Sequence, residues 1–190
     1  MHLLLGLAAA LQVAATTTAP PIRVRIETPL GNIEAEIDTA RAPRTAANFL
    51  AYVDAGAYEN ARFHRTVHAD NQPNDSVRIA VIQASVDTAR GRDRAPIALE
   101  RTSVTGLRHL DGTLSMARGG PDTASSSFFI CIGDQPSLDF GGRRNPDGQG
   151  FAAFGRVTSG MGIVRAIQRS PSDGQRLTPP VPIVRIVRVR

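Results

Sequence analysis

Gly112-Thr-Leu-Ser-Met-Ala-Arg-Gly-Gly-Pro-Asp-Thr-Ala-Ser-Ser-Ser-Phe-Phe-Ile-Cys-Ile132 contains two apolar runs, Leu114 to Ala117 and Phe128 to Ile132. They flank ten residues of Arg, Gly, Pro, Asp, Thr, Ala and Ser. Short apolar runs separated by turn formers read as strand, exposed loop, strand. An apolar floor is thereby joined to an irregular polar rim, a common way to build a binding site on a scaffold.

Outward from this stretch the pattern stays β-rich. Ile22 to Glu27 alternates apolar and charged residues, and Ile33 to Ile37 alternates again after Thr28-Pro-Leu-Gly-Asn32, which predicts a hairpin. Between 42 and 55, Ala46, Phe49, Leu50 and Val53 recur at helical spacing, with Pro43 at the start and Gly56 at the end. Tyr58 to Val67 and Val77 to Val86 read as strands separated by the turn-rich Asp70 to Asp75, and Ala95 to Glu100 as a short edge strand. Residues 102–111 read as loop or helical turn, 133–150 as a long loop, and Phe151 to Val157 as strand. Gly160 to Gln168 reads as a short helix, 170–180 as coil and Val181 to Val189 as a closing strand. Many strands, two helices and no solenoid repeat predict a mainly β fold: a closed or nearly closed antiparallel barrel with helical caps, its terminal strands pairing to remove the edges.

At 190 residues and 42% hydrophobic content the chain suits one domain, residues 22–190. Residues 1–21 read as a leader plus linker. Leu3 to Val13 resembles the apolar part of a secretory signal, with Val13-Ala14-Ala15 as a cleavage site, although no basic residue other than His2 and the amino terminus precedes it. A periplasmic or secreted protein is expected, with a disordered tail and a cytoplasmic location as the alternative. With no lipobox cysteine, no lipid anchor is expected at this terminus.

All 22 basic residues are arginine, for a net charge of +5. They are scattered, and only 5% of residues are aromatic, so neither the basic stripe nor the stacking platform of a nucleic-acid binder is visible. Cys131 stands alone inside an apolar run and reads as a small core residue, which excludes an intramolecular disulfide. His64 and His68 lie four apart, but no third ligand is placed, so no metal is expected. Gly-x-Ser-x-Gly and Gly-x-x-x-x-Gly-Lys are absent, which argues against acyl transfer and a phosphate loop. One unusual group remains. On a strand Phe63, Arg65 and Val67 share parity, so if the first and last face the core, the guanidinium does too. Such a group is costly unless its donors are used. It is either part of a structural ion pair or held beside an apolar pocket to meet a ligand.

Phe63-His-Arg65, Ile82-Gln83, Gly112 to Ala117, Gly120-Pro121, Phe128-Phe-Ile130, Leu138-Asp139 and Phe154-Gly-Arg-Val157 stand in the order and approximate spacing of the cyclophilins. The chain resembles these peptidyl-prolyl cis-trans isomerases over residues 22–190. The resemblance implies a closed eight-stranded antiparallel barrel capped by two α-helices and rotation of X-Pro bonds in unfolded or flexible segments of protein clients, by a monomer without cofactor. Arg65 falls on the catalytic arginine, Gln83 on a substrate-orienting glutamine, Phe129 on the floor of the proline pocket and Leu138 on its wall. Phe63, Val81, Met116, Ala117, Arg118, Ser127 and Phe151 complete the implied substrate-binding set. The chain departs from the family at Ala80-Val81, where Phe-Met is common, at Ser127 for Gln, at Ser137 for Trp and at Phe151 for His. The segment between His64 and Ile82 is longer, and so is the loop after Leu138. The shallower wall at Ala80-Val81 leaves a second reading, a proline-segment binding module or chaperone with little turnover.

Overall fold

A computed structural model describes residues 21–72, 76–87 and 94–189. The chain runs β1 (Ile22–Thr28), β2 (Gly31–Ile37), α1 (Pro43–Asp54), β3 (Arg62–Val67), β4 (Val81–Ser85), α2 (Thr102–Thr105), β5 (Thr113–Met116) and β6 (Phe128–Cys131). It continues through β7 (Ala152–Ser159), α3 (Met161–Gln168), β8 (Ser172–Asp173), β9 (Arg176–Pro182) and β10 (Arg185–Val189). No helix among the described residues is long and apolar enough to cross a membrane.

The strands form one antiparallel sheet in the order β10-β1-β2-β7-β5-β6-β4-β3-β9-β8. Ten strands in an open ladder replace the closed eight-stranded barrel that the family resemblance implies. The closing strand is two strands: β9 pairs with β3 at one end of the sheet, and β10 pairs with β1 at the other. The chain crosses between them at Ile183 and Val184, whose N–H groups donate to Ala61 and Glu27 carbonyls, each at 2.8 Å. The ends of the sheet are therefore linked by covalent chain and single hydrogen bonds. Part of the expected coil at 170–180 is a hairpin, because Pro179 and Pro180 are tolerated where a strand needs no donor. The expected edge strand at Ala95 to Glu100 reduces to one bridge, Ile97 to Ala124.

The interior is filled by alternate residues of the strands. Val24 and Ile26, Ile33, Ala35 and Ile37, Ile82 and Ala84, Leu114 and Met116, and Phe128 and Ile130 all belong to one buried cluster. Helix α1 covers it with Ala46, Phe49, Leu50 and Val53, as their spacing predicts. The Phe49 ring meets Phe128 edge-on at 5.4 Å and Phe154 at 5.0 Å. The N-terminus of α1 has no local side-chain cap. Instead the Glu100 carboxylate accepts from the Arg44 and Thr45 N–H groups at 3.1 and 2.7 Å, an acid where the helix dipole favours one.

A smaller apolar cluster lies on the opposite face of the sheet: Val67, Ile79, Val81, Phe129, Cys131, Leu138 and Phe151. It exists because β4 and β6 are buried on both faces, so Phe128 points inward and Phe129 outward. On β3 the parity argument fails. Phe63 pairs with Ala84 but Arg65 pairs with Gln83, so His64 is an extra residue in a bulge. Phe63 therefore joins the interior, whereas Val67 packs with the outer cluster and Arg65 stands beside Gln83 on that face.

Phe128→Ala is expected to cost about 3–5 kcal/mol of stability, since the void would be lined by rings that cannot collapse into it. A urea titration of the full chain measures the loss.

Candidate active site

The outer cluster floors a cleft of about 320 Å³. Val81, Gln83, Ala117, Phe129, Leu138 and Phe151 line it together with Arg65 and Arg118, as do Ile79, Arg144 and Asn145, which are not in the implied binding set. Two of the implied binding residues are elsewhere. Phe63 and Met116 are fully buried in the interior cluster, Phe63 because of the His64 bulge and Met116 because it shares parity with Leu114. A larger hollow of about 800 Å³ opens beside Glu36, Asp38, Arg41, Arg108 and Arg156, but it contains none of the implied residues and mixes both charges at a polar rim. Volume does not mark the site here; converging polar groups over an apolar floor do.

Those polar groups form a directed chain. The Ser127 hydroxyl donates to the Ala84 carbonyl at 3.1 Å and accepts from Gln83 Nε2 at 3.0 Å. This fixes the Gln83 amide with its oxygen toward Arg65, whose Nη1 donates to it at 3.0 Å. Ser127, a departure from the family pattern, thus orients the next residue in the chain. On the other side of the guanidinium, Gln175 Oε1 accepts from Nε at 2.9 Å and from Nη2 at 2.6 Å. Gln175 sits in the β8–β9 turn, within the stretch read as coil, and nothing local in the sequence marked it.

The floor is stiffened from below. The rings of Phe129 and Phe151 are perpendicular at 5.4 Å, and His109 stacks on Phe129 at 6.0 Å. His109 Nδ1 lies 2.7 Å from Asp139 Oδ1 and Nε2 lies 2.9 Å from Ser115 Oγ. The order Ser-His-Asp resembles a nucleophilic triad, but Ser115 is 0% exposed and no substrate carbonyl can reach it. The trio braces the aromatic floor instead. Cys131 beside it is fully buried, and burial raises its thiol pKa, so it is an inert core residue, as its flanks indicated.

One end of the cleft is formed by the enlarged loop 141–150. Arg118 grips this loop. Its Nη1 and Nη2 donate to the Asp147 carboxylate at 2.7 and 2.9 Å, its Nε donates to the Gly150 carbonyl at 2.8 Å, and its guanidinium carbon lies 5.1 Å from the Phe151 ring centre. Arg144 Nη1 donates to the Val77 carbonyl at 2.8 Å and ties the loop to the segment before β4. The loop returns tightly: Gly150 has φ +65°, and a Cβ there would lie 2.6 Å from the Phe140 nitrogen. The neighbouring His64 ring has its pKa lowered, chiefly by burial. Among the described residues no three His, Cys, Asp or Glu side chains gather as metal ligands.

Comparison with known proteins bears on this geometry. Residues 23–189 match the family model described as cyclophilin type peptidyl-prolyl cis-trans isomerase. A peptidyl-prolyl cis-trans isomerase of Streptomyces antibioticus is 33% identical over 86% of this chain and 93% of its own length. Another, from Dickeya dadantii, is 35% identical over 84% of this chain and 76% of its own. Among solved structures, a cyclophilin-type isomerase of Cryptosporidium parvum superposes with a TM-score of 0.73 at 25% identity, covering 90% of this chain and 98% of its own. A structure of that protein in the presence of the dipeptide Ala-Pro gives 0.71 at 25% identity, covering 88% and 99%.

The Asp147 carboxyl is held down to about 2 from its ordinary 3.8, first by the hydrogen bonds from Arg118 and then by the Gln149 N–H. A lowered folded value means that the tie contributes above the ordinary carboxylate range and is lost as pH falls toward 2. Across neutral pH, Asp147→Asn is expected to loosen the loop and expose Arg143 and Arg144 to trypsin. Cleavage there should be faster than in the wild type, as followed by mass spectrometry.

Proposed function

The chain belongs to the cyclophilin-type peptidyl-prolyl cis-trans isomerases, and on that premise we propose that Arg65 is its catalytic group and the cleft over Phe129 its proline site. The protein is an isomerase that accelerates rotation about X-Pro bonds. The observation that carries the site assignment is the guanidinium held at the edge of an apolar floor by the two amide oxygens of Gln83 and Gln175.

Amide resonance sets a barrier of about 18–20 kcal/mol to this rotation. As the bond twists, resonance is lost and a lone pair localises on the prolyl nitrogen. A guanidinium N–H directed at that nitrogen interacts weakly with the planar amide and strongly with the twisted one, which is preferential binding of the transition state. The proline ring rests on Phe129, against Val81, Leu138 and Phe151, while the preceding carbonyl swings. Gln83 and the backbone at Ala117 and Arg118 orient the peptide. No covalent step and no net proton transfer enter this scheme. The substrates are proline-containing unfolded or flexible segments, a reading supported by the relative determined with Ala-Pro. The apolar run Leu3 to Val13, outside the described residues, supports export, with 1–21 as leader and 22–190 as the isomerase domain.

The second reading, a proline-segment holder with little turnover, draws on Ala80-Val81, where the family commonly has Phe-Met, with Val81 in the cleft lining. A protease-free assay on a proline peptide separates the two. The isomerase reading expects Arg65→Ala to lower kcat/KM by roughly two to three orders of magnitude while peptide binding persists. Wild-type binding without acceleration would instead favour the holder.

A further inference from the structure

We propose that Gln175 is a positioning residue for Arg65, an inference that rests on the reading of Arg65 as the catalytic group. An arginine side chain has four rotatable bonds, and holding its head still costs about 2 kcal/mol of rotamer entropy. The bond from Nη1 to Gln83 fixes one corner, and a single bond at one corner does not set the guanidinium plane. Gln175 supplies further contacts. One oxygen accepts from both Nε and Nη2, so the whole edge of the fork is engaged and the plane is set from the side opposite Gln83.

The position of Gln175 is itself fixed by the strand that carries Arg65. The Thr66 N–H donates to the Gln175 carbonyl at 2.9 Å, so the β8–β9 turn is docked on β3 one residue from the arginine. The Gln175 amide nitrogen donates to the Asn71 carbonyl at 3.3 Å, which leaves its oxygen toward Arg65. Asn71 lies in the 3-10 turn Ala69–Asn71, at the start of the segment between β3 and β4. Its Nδ2 donates to the Thr66 and Gly174 carbonyls at 3.0 Å each, and its Oδ1 accepts from the His68 N–H at 2.9 Å. The lengthened segment after β3 therefore supplies the clamp that sets Gln175, which in turn sets Arg65. Gln83 and Gln175 are neutral amides, so these contacts orient the guanidinium without themselves placing a counter-charge on it.

A double-mutant cycle on the full chain tests this, with Gln175→Ala and Gln175→Met, the latter keeping the length of the side chain without its oxygen. Both variants are expected to lower kcat at least roughly tenfold, the scale of a displaced reacting group, with KM within about twofold and an unchanged thermal midpoint. In the Arg65→Ala background either substitution should cost nothing further, because Gln175 acts through the arginine. Gln175→Met turning over at nearly the wild-type rate would overturn the inference, as would an equal proportional loss in both backgrounds. If Arg65→Ala is as fast as the wild type, the catalytic reading itself fails and this inference with it, so the two failures are distinguishable.

Discussion

A β-strand sends successive side chains to opposite faces, and β4 and β6 carry buried apolar side chains on both. Ile82 and Phe128 serve the interior, whereas Gln83 and Phe129 serve the cleft one residue later. The stability of the barrel-like core and the shape of the site are thus written on the same two strands in alternating positions. Strand β3 could not join this scheme with regular pairing, because Phe63 and Arg65 would then fall on one face. The extra residue at His64 changes the phase, keeping a large ring inside and placing a guanidinium outside.

The features legible in the sequence are those with a local period. The β1–β2 hairpin followed from strict alternation, and helix α1 from the spacing of Ala46, Phe49, Leu50 and Val53. The bulge at His64 has no such signature, since a single inserted residue leaves the composition of the strand unchanged. That is why parity put Arg65 on the same face as Phe63, whereas a place for Phe63 in the cleft was implied by the family resemblance. The division of the C-terminal strand was hidden for a different reason: Val181 to Val189 is uniformly apolar and basic, and only the partners on each side, β3 and β1, break it in two.

For the site, Val81, Gln83, Phe129, Leu138 and Phe151 were accessible through family resemblance rather than through pattern, and the cleft gathers all five. Gln175 was not accessible by either route. It meets Arg65 across 110 positions of chain, from a turn whose Gly and Pro neighbours signal coil. The Arg118–Asp147 tie is similar, a contact between two loops whose individual compositions say only that they are exposed. Arg118 stood in the implied substrate-binding set, and its side chain is 1% exposed and holds the 141–150 loop. Long-range polar contacts of this kind depend on the completed fold, so no window of sequence contains them.

The C-terminal segment bridges both ends of the sheet, and this has a consequence for biosynthesis. A ribosome delivers β1 first and β10 last, so the outer edge of β1 waits for its partner until the final residues emerge. Throughout that interval a nascent chain displays an unpaired row of N–H and C=O groups, the kind of edge that invites pairing with other chains. Arg23 and Arg25 on β1 place charge along this edge while it is open. The alternation that buries Val24 and Ile26 in the finished protein thus also keeps charged side chains beside the open edge of the unfinished one.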